Sequence, residues 1–231
     1  FVTSSDVPRR RGAKTQALRA TPPLFLVLYF LSGAAGLFYQ VAWSRLLTLH
    51  MGHTLAAVST VLAAFMGGLA AGAALAGRWT PHLTARSAAR MYASLELVVA
   101  AAALLMAPAL DAMGPVLTRA YADGEGGVWF GFMRAATSLL LVSVPAAVMG
   151  ATFPAAVRLY AGAGDDAAPR AGVLYAMNTL GAASGAAVTG FVLIPALGVT
   201  RTTLAGVVLN VAIAAAAFPL ERNAPGAEPP M

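Results

Sequence analysis

The sequence contains no cysteine, and charged residues make up only 10% of its 231 residues. Without cysteine, the chain can form no disulfide bond, thiol nucleophile or cysteine-ligated metal site. Its apolar segments also lack paired carboxylates, a Ser/His/Asp set and a phosphate loop, so the residues indicate no enzyme and no cofactor in this chain alone. Hydrophobic residues, by contrast, make up 59% of the chain and its mean hydropathy is +0.74, which predicts a membrane protein.

One apolar segment, residues 58–78, carries no charge before its last position. Small residues recur in it at every fourth position and therefore share one face of a helix. Each glycine would weaken such a helix in water by roughly 1 kcal/mol relative to alanine. In a bilayer the backbone has no other hydrogen-bond partner, so the helix forms and the small face allows a neighbouring helix to approach. We call these residues the small-residue ladder: Ala64, Gly68, Gly72 and Ala76.

Six apolar segments are each near the length that crosses roughly 30 Å of hydrocarbon. The sequence therefore predicts an all-α polytopic membrane protein with six transmembrane helices. A basic cytoplasmic tail (residues 1–22) precedes the transmembrane domain (23–220), and a proline-rich tail or linker (221–231) follows it. The expected segments are 23–49, 55–77, 91–110, 128–160, 172–197 and 203–220.

The distribution of basic residues predicts the orientation. With the N-terminus inside, eleven of the fifteen Lys and Arg residues fall on the inner side and four on the outer side. This excess places both termini in the cytoplasm. Five of the basic residues lie in the first twenty positions, where they suit a topology signal better than a nucleic-acid arm, so we expect no nucleic-acid partner.

The second and fifth segments share a pattern that suggests an internal repeat. Ser59 and Thr60 precede the ladder, as Asn178 and Thr179 precede a second pair of glycines, Gly181 and Gly185. A three-plus-three arrangement, as in half of a major-facilitator transporter, would make these corresponding helices that pack through small residues.

Glu96 is the most distinctive polar residue, about six positions into the third segment. An ionised carboxylate at membrane depth costs several kcal/mol unless it is paired. We therefore expect Glu96 to be protonated, to face a cavity or to lie near a cation. Arg78 is on the same predicted inner side, so a Glu/Arg clamp between segments two and three is the alternative to a substrate or proton site.

Other polar residues have a packing role and a functional alternative. Gln40 and Asn178 suit hydrogen bonds between helices, or the lining of a cavity. Arg45 suits an interfacial anchor, or a contact with an anionic lipid or substrate. His50 and His53 have a spacing that can ligate a metal, but no third ligand is near them in the sequence, so we expect loop histidines and no metal.

Four stretches, residues 31–47, 58–78, 149–160 and 172–198, together resemble the N-terminal membrane part of bacterial fused major-facilitator/spermidine-synthase-like proteins. The resemblance implies a bacterial inner-membrane location. It also implies a cytoplasmic aminopropyltransferase-like domain, here absent from the sequence, that would bind a decarboxylated S-adenosylmethionine-type donor and a polyamine. Two acidic residues common in the family are missing: Gln40 stands in the first-helix motif, and Gly77-Arg78 is followed by Trp79 rather than Asp.

We therefore expect a non-catalytic integral membrane module that anchors or feeds an aminopropyltransferase-like domain, either C-terminal or separate. The alternatives are a structural subunit of a larger membrane complex and a small dimeric transporter of a cationic or polyamine-like solute. The expected partners are the lipid bilayer and other membrane subunits or a second copy of the chain.

Overall fold

The computed structural model describes residues 22–51, 55–120, 128–162 and 166–220, and the described part is almost entirely helical. The predicted tail 221–231 and all but the last residue of the predicted tail 1–22 lie outside the described residues, and Pro22 begins the first helix. A short 3-10 turn, Thr80–His82, joins the second and third helices, and a π-helical turn, Thr189–Leu193, joins the last two. The helices are α1 (Pro22–Met51), α2 (Leu55–Gly77), α3 (Ala85–Ala120), α4 (Val128–Tyr160), α5 (Ala167–Val188) and α6 (Ile194–Ala217).

Five stretches of the described chain are long and apolar enough to cross a membrane. They are Pro23–Thr48, Val58–His82, Ala85–Pro115, Gly131–Tyr160 and Ala167–Ala217. The chain is thus a helical membrane protein. The fifth stretch combines the two segments expected at 172–197 and 203–220, because helical hydrogen bonding continues around the π-helical turn without a polar loop.

Gly198 interrupts this fifth stretch. Its φ of +76° and ψ of 174° are non-helical, and a side chain at this residue would strain the backbone. Beyond Gly198 the chain runs back along α1: Asn210 bonds Tyr39, and further on Ile213 clusters with Phe25 near the start of α1. Because Gly181 meets Phe30 and Gly185 meets Ala34, α5 runs parallel to α1. The chain direction therefore reverses at Gly198, within the first turns of α6.

Two pairs of helices form the closest contacts in the bundle: α2 packs on α4, and α1 packs on α5. Helix α3 packs on α4 and α6, and α6 also packs on α1. The ring stack of Phe25 on Tyr160 and the clustering of Leu47 with Val142 show that α1 and α4 are antiparallel. A groove separates the α1/α5 pair from the α2/α4 pair, because few residues of α1 contact α2 or α4.

Glycines set the spacing in both close pairs. A methyl group added at Gly72 would overlap the carbonyl oxygen of Ala147, and one added at Gly181 would overlap that of Phe30. All four residues of the small-residue ladder are buried, and its glycines face α4. Such direct backbone contact is the usual role of small residues between membrane helices.

The two close pairs have the same register. Two glycines of α2 meet the backbone of α4, and two glycines of α5 meet the backbone of α1. Each of these glycines, and each residue it meets, lies 113 positions from its counterpart in the other pair. The counterparts are Gly68 and Gly181, Gly72 and Gly185, Phe30 and Ser143, and Ala34 and Ala147. In this register Asn178 corresponds to Phe65, so the glycines correspond but the polar residues that precede them do not.

Candidate functional site: a cavity within the helix bundle

A cavity of about 330 Å³ occupies the groove between the α1/α5 and α2/α4 pairs. Apolar side chains of Phe65, Leu69 and Met149 form much of its wall. Its polar lining comes from five of the six helices. These polar residues are Tyr29, Ser32, Glu96, Thr152, Tyr175, Asn178 and Asn210.

The cavity lies toward one end of the bundle. Its lining residues on α1 fall at 29–37, mostly in the first half of that helix, and those on α5 fall at 175–182, around the middle of that helix. Those on α2 and α4 fall at 65–73 and 149–153, in the second half of each helix. Because α1 and α4 are antiparallel, these halves meet at the same end, where the 3-10 turn Thr80–His82 joins α2 to α3.

Glu96 on α3 forms the polar back of the cavity. Its side chain is buried, with 1% of its surface exposed. The Ser32 hydroxyl on α1 donates a hydrogen bond of 2.6 Å to Oε1, and the Asn210 amide on α6 donates one to Oε2. Three helices therefore hold the carboxyl group in a single orientation.

The hydrogen bonds extend beyond Glu96. The Tyr39 hydroxyl donates to Oδ1 of Asn210 at 2.7 Å, which fixes the amide so that its nitrogen faces the carboxyl group. The Tyr92 hydroxyl is buried beside Ser32 and Glu96 but lies outside hydrogen-bond geometry. Glu96 thus belongs to a polar network that crosses α1, α3 and α6 inside an otherwise apolar core.

No cation balances this carboxyl group among the described residues that line the cavity, none of which is Lys, Arg or His. The two groups that donate hydrogen bonds to Glu96, a hydroxyl and a side-chain amide, are both neutral. A buried carboxylate is stable only when paired, and otherwise it takes up a proton. The geometry therefore leaves Glu96 able to hold either a proton or a cationic ligand that enters the cavity.

The remaining candidates from the sequence fall in different places. Asn178 lines the cavity, and its backbone carbonyl oxygen lies where a side chain on Gly33 would be. Gln40 is half-buried on α1, beyond the residues that line the cavity. Arg78, the expected partner of Glu96 in a Glu/Arg clamp, is exposed just after the last residue of α2. The groups that donate hydrogen bonds to Glu96 are instead those of Ser32 and Asn210.

Arg45 is exposed on the second half of α1, away from the cavity. The proposed pair of His50 and His53 lies outside the described residues, because the side chain of His50 and the whole of His53 are not described. Within the described ranges, no group of three His, Asp or Glu residues is placed to hold a metal ion.

Sequence reasoning missed three members of the hydrogen-bond network around Glu96: Tyr39, Asn210 and, as a polar partner, Ser32. Asn210 had a detectable signal, because it is an isolated amide within the apolar run of α6. Its pairing with Glu96 had none, since 114 positions separate the two residues. Comparison of the chain with protein-family models, curated proteins and solved structures finds no match.

Proposed function

We propose that this chain is an integral membrane module that binds a small amine-type cation in the cavity, with Glu96 as the counter-charge. The observation that carries the proposal is the buried carboxyl group of Glu96, which faces a cavity and has only neutral partners. The resemblance described above adds that the cation is polyamine-like and that the module supplies it to an aminopropyltransferase-like domain.

The shape and lining of the cavity suit such a ligand. Its volume of about 330 Å³ is at the small end of the range typical of ligand sites, roughly 300–1,000 Å³. The aliphatic carbons of an amine would contact Phe65, Leu69 and Met149, while its ammonium group would donate hydrogen bonds to the Glu96 carboxylate and balance its charge. The Tyr29 and Tyr175 side chains also line the cavity and can contact a cation through their rings.

The repeated register supports a six-span, three-plus-three arrangement. We take α5 and α6 as separate spans, because the chain reverses at Gly198. The 113-residue offset relates α1 to α4 and α2 to α5, and α1 and α4 run in opposite directions. Helices related in this way form an inverted repeat, an arrangement in which substrate sites lie at the interface between the repeats.

We infer that the end of the bundle toward which the cavity lies faces the cytoplasm. The start of α1, the α2–α3 connection and the end of α6 share one end of the bundle. The excess of positive charge in the sequence supports a cytoplasmic position for that end, and the resemblance adds a bacterial inner membrane. A ligand in the cavity would then be accessible to an enzyme domain on that side.

A second candidate function is transport by a pair of modules. The inverted repeat favours it, since such repeats recur in secondary transporters and exchange conformations during alternating access. Two copies of this chain would supply the twelve helices of a complete major-facilitator unit. A module that only anchors a partner, or only fills a place in a larger complex, would need neither the cavity nor its buried carboxyl group.

Calorimetric titration of the chain in nanodiscs with spermidine tests the proposal. We expect saturable binding by the wild-type chain and a loss of at least about tenfold in affinity for Glu96→Gln, a change of about 1.4 kcal/mol. Asp111→Asn is the matched control, because Asp111 is an exposed carboxylate on the same helix. Ser32→Ala keeps the carboxyl group of Glu96 and removes one of its hydrogen-bond donors. This variant therefore tests the same site if Glu96→Gln folds poorly.

Equal affinities for the wild-type chain and Glu96→Gln would overturn the assignment of Glu96. Failure of the folded wild-type chain to bind spermidine, putrescine or a monoamine would overturn solute binding itself. The absence of binding would favour the two other expected functions, a module that only anchors a partner domain or a structural subunit of a larger complex.

A further inference from the structure

A second cavity, of about 490 Å³, lies between the ends of α2 and α4. Its walls come from Ala73 and Gly77 on α2, Pro81 in the α2–α3 connection, and Phe153 and Val157 on α4. These residues make it largely apolar. It lies toward the same end of the bundle as the cavity lined by Glu96, which we call the amine cavity, because α1 begins and α4 ends there.

One charged side chain lines this cavity, that of Arg158 at the end of α4. Its Nε donates a hydrogen bond of 2.7 Å to the carbonyl oxygen of Leu83, which ties the guanidinium to the α2–α3 connection. The two amino groups of a guanidinium carry four further N–H donors in a fork that matches phosphate oxygens. The described residues around the cavity contain no carboxylate that would compete with an anion for this fork.

Two neighbouring residues favour a ligand from the membrane. Arg78 follows Gly77 and is exposed, which adds a second positive charge next to the cavity. Trp79 follows it and is 71% exposed, and such tryptophans concentrate where lipid headgroups meet water. Positive charge at the headgroup level next to an apolar recess is complementary to a lipid, which carries a phosphate and an acyl chain on one molecule.

We propose that this second cavity binds an anionic phospholipid, with its phosphate on the Arg158 guanidinium and its acyl chain against Phe153 and Val157. The site is separate from the carboxyl group of the amine cavity, although both cavities share Ala73 and Phe153 in their walls. It does not depend on the proposed amine ligand.

Native mass spectrometry of the full chain in detergent, titrated with phosphatidylglycerol or phosphatidylcholine, tests this site. We expect tighter binding of phosphatidylglycerol and a loss of at least about threefold in its affinity for Arg158→Gln. Arg201→Gln is the matched control, because it removes the same charge from an exposed arginine on α6, near the opposite end of the bundle.

A second pair of variants tests the recess independently of charge. A Cβ at Gly77 would meet no atom within 4 Å, and Gly77 lines the recess, so Gly77→Phe brings a ring to the recess without a clash at its Cβ. Gly67→Phe, at another open glycine on α2, is its control. We expect Gly77→Phe, but not Gly67→Phe, to weaken phosphatidylglycerol binding at least about threefold.

Three outcomes would overturn the proposal. Equal binding of the two lipids would remove the preference for an anionic headgroup. Equal losses for Arg158→Gln and Arg201→Gln would reduce the effect to net charge. Displacement of phosphatidylglycerol by millimolar inorganic phosphate, together with equal binding of phosphate in the absence of lipid, would assign the site to a free anion.

Discussion

At the scale of single residues, Glu96 owes its position to partners from two other helices. Ser32 and Asn210 each donate to one carboxyl oxygen, and Tyr39 holds the amide of Asn210 in the required orientation. Such a network is stable in an apolar core only if its members remain satisfied, because an unpaired polar group there is costly. Tyr39 therefore matters to the site although it does not line the cavity.

We predict that Tyr39→Phe destabilises the fold by about 1–3 kcal/mol, because the buried carbonyl of the Asn210 side chain loses its donor. Thermal unfolding in detergent, compared with the wild-type chain, measures the effect. Tyr175→Phe is the control, since Tyr175 is 63% exposed. Equal unfolding temperatures for the two variants would show that the bond from Tyr39 to Asn210 contributes nothing measurable.

At the scale of elements, most helices could be predicted, but their partners could not. The segment expected at 128–160 coincides with α4, because hydrophobic length is a local property of the chain. Gly198 falls in the gap expected between the segments 172–197 and 203–220, but the π-helical turn Thr189–Leu193 lies inside an apolar segment and had no signal in the sequence. Glu96 stood out as a charge in an apolar segment, but its bond to Asn210 depends on how α3 and α6 meet in space.

We predict that Gly72→Leu and Gly181→Leu each destabilise the bundle, by about 1–3 kcal/mol or more, because the added side chain overlaps backbone of the partner helix. Gly67→Leu serves as the control, since a Cβ at Gly67 meets no neighbour within 4 Å. Thermal unfolding of the three variants in the same detergent gives the comparison. A Gly67→Leu variant as unstable as the other two would mean that α2 tolerates no larger residue anywhere, and that close packing is not the cause.

At the scale of the whole molecule, the helices form two close pairs, α1/α5 and α2/α4, with α3 and α6 completing the bundle. The close pairs share one register, so their glycines set the same spacing twice, and the groove between them contains the cavity. Glu96 reaches this cavity from α3, and Asn210 reaches it from α6. The account of the whole molecule therefore depends on one claim, that the cavity admits an amine to the carboxyl group of Glu96.

Protection of Glu96 from dicyclohexylcarbodiimide by spermidine tests that claim most directly. This apolar reagent adds to carboxyl groups in apolar surroundings, and mass spectrometry of the digested chain locates the adduct. We predict that Glu96 in the wild-type chain reacts and that spermidine slows its reaction severalfold, while any reaction at the exposed Asp111 stays unchanged. A Glu96 that fails to react, or that reacts at the same rate with and without spermidine, would contradict the account.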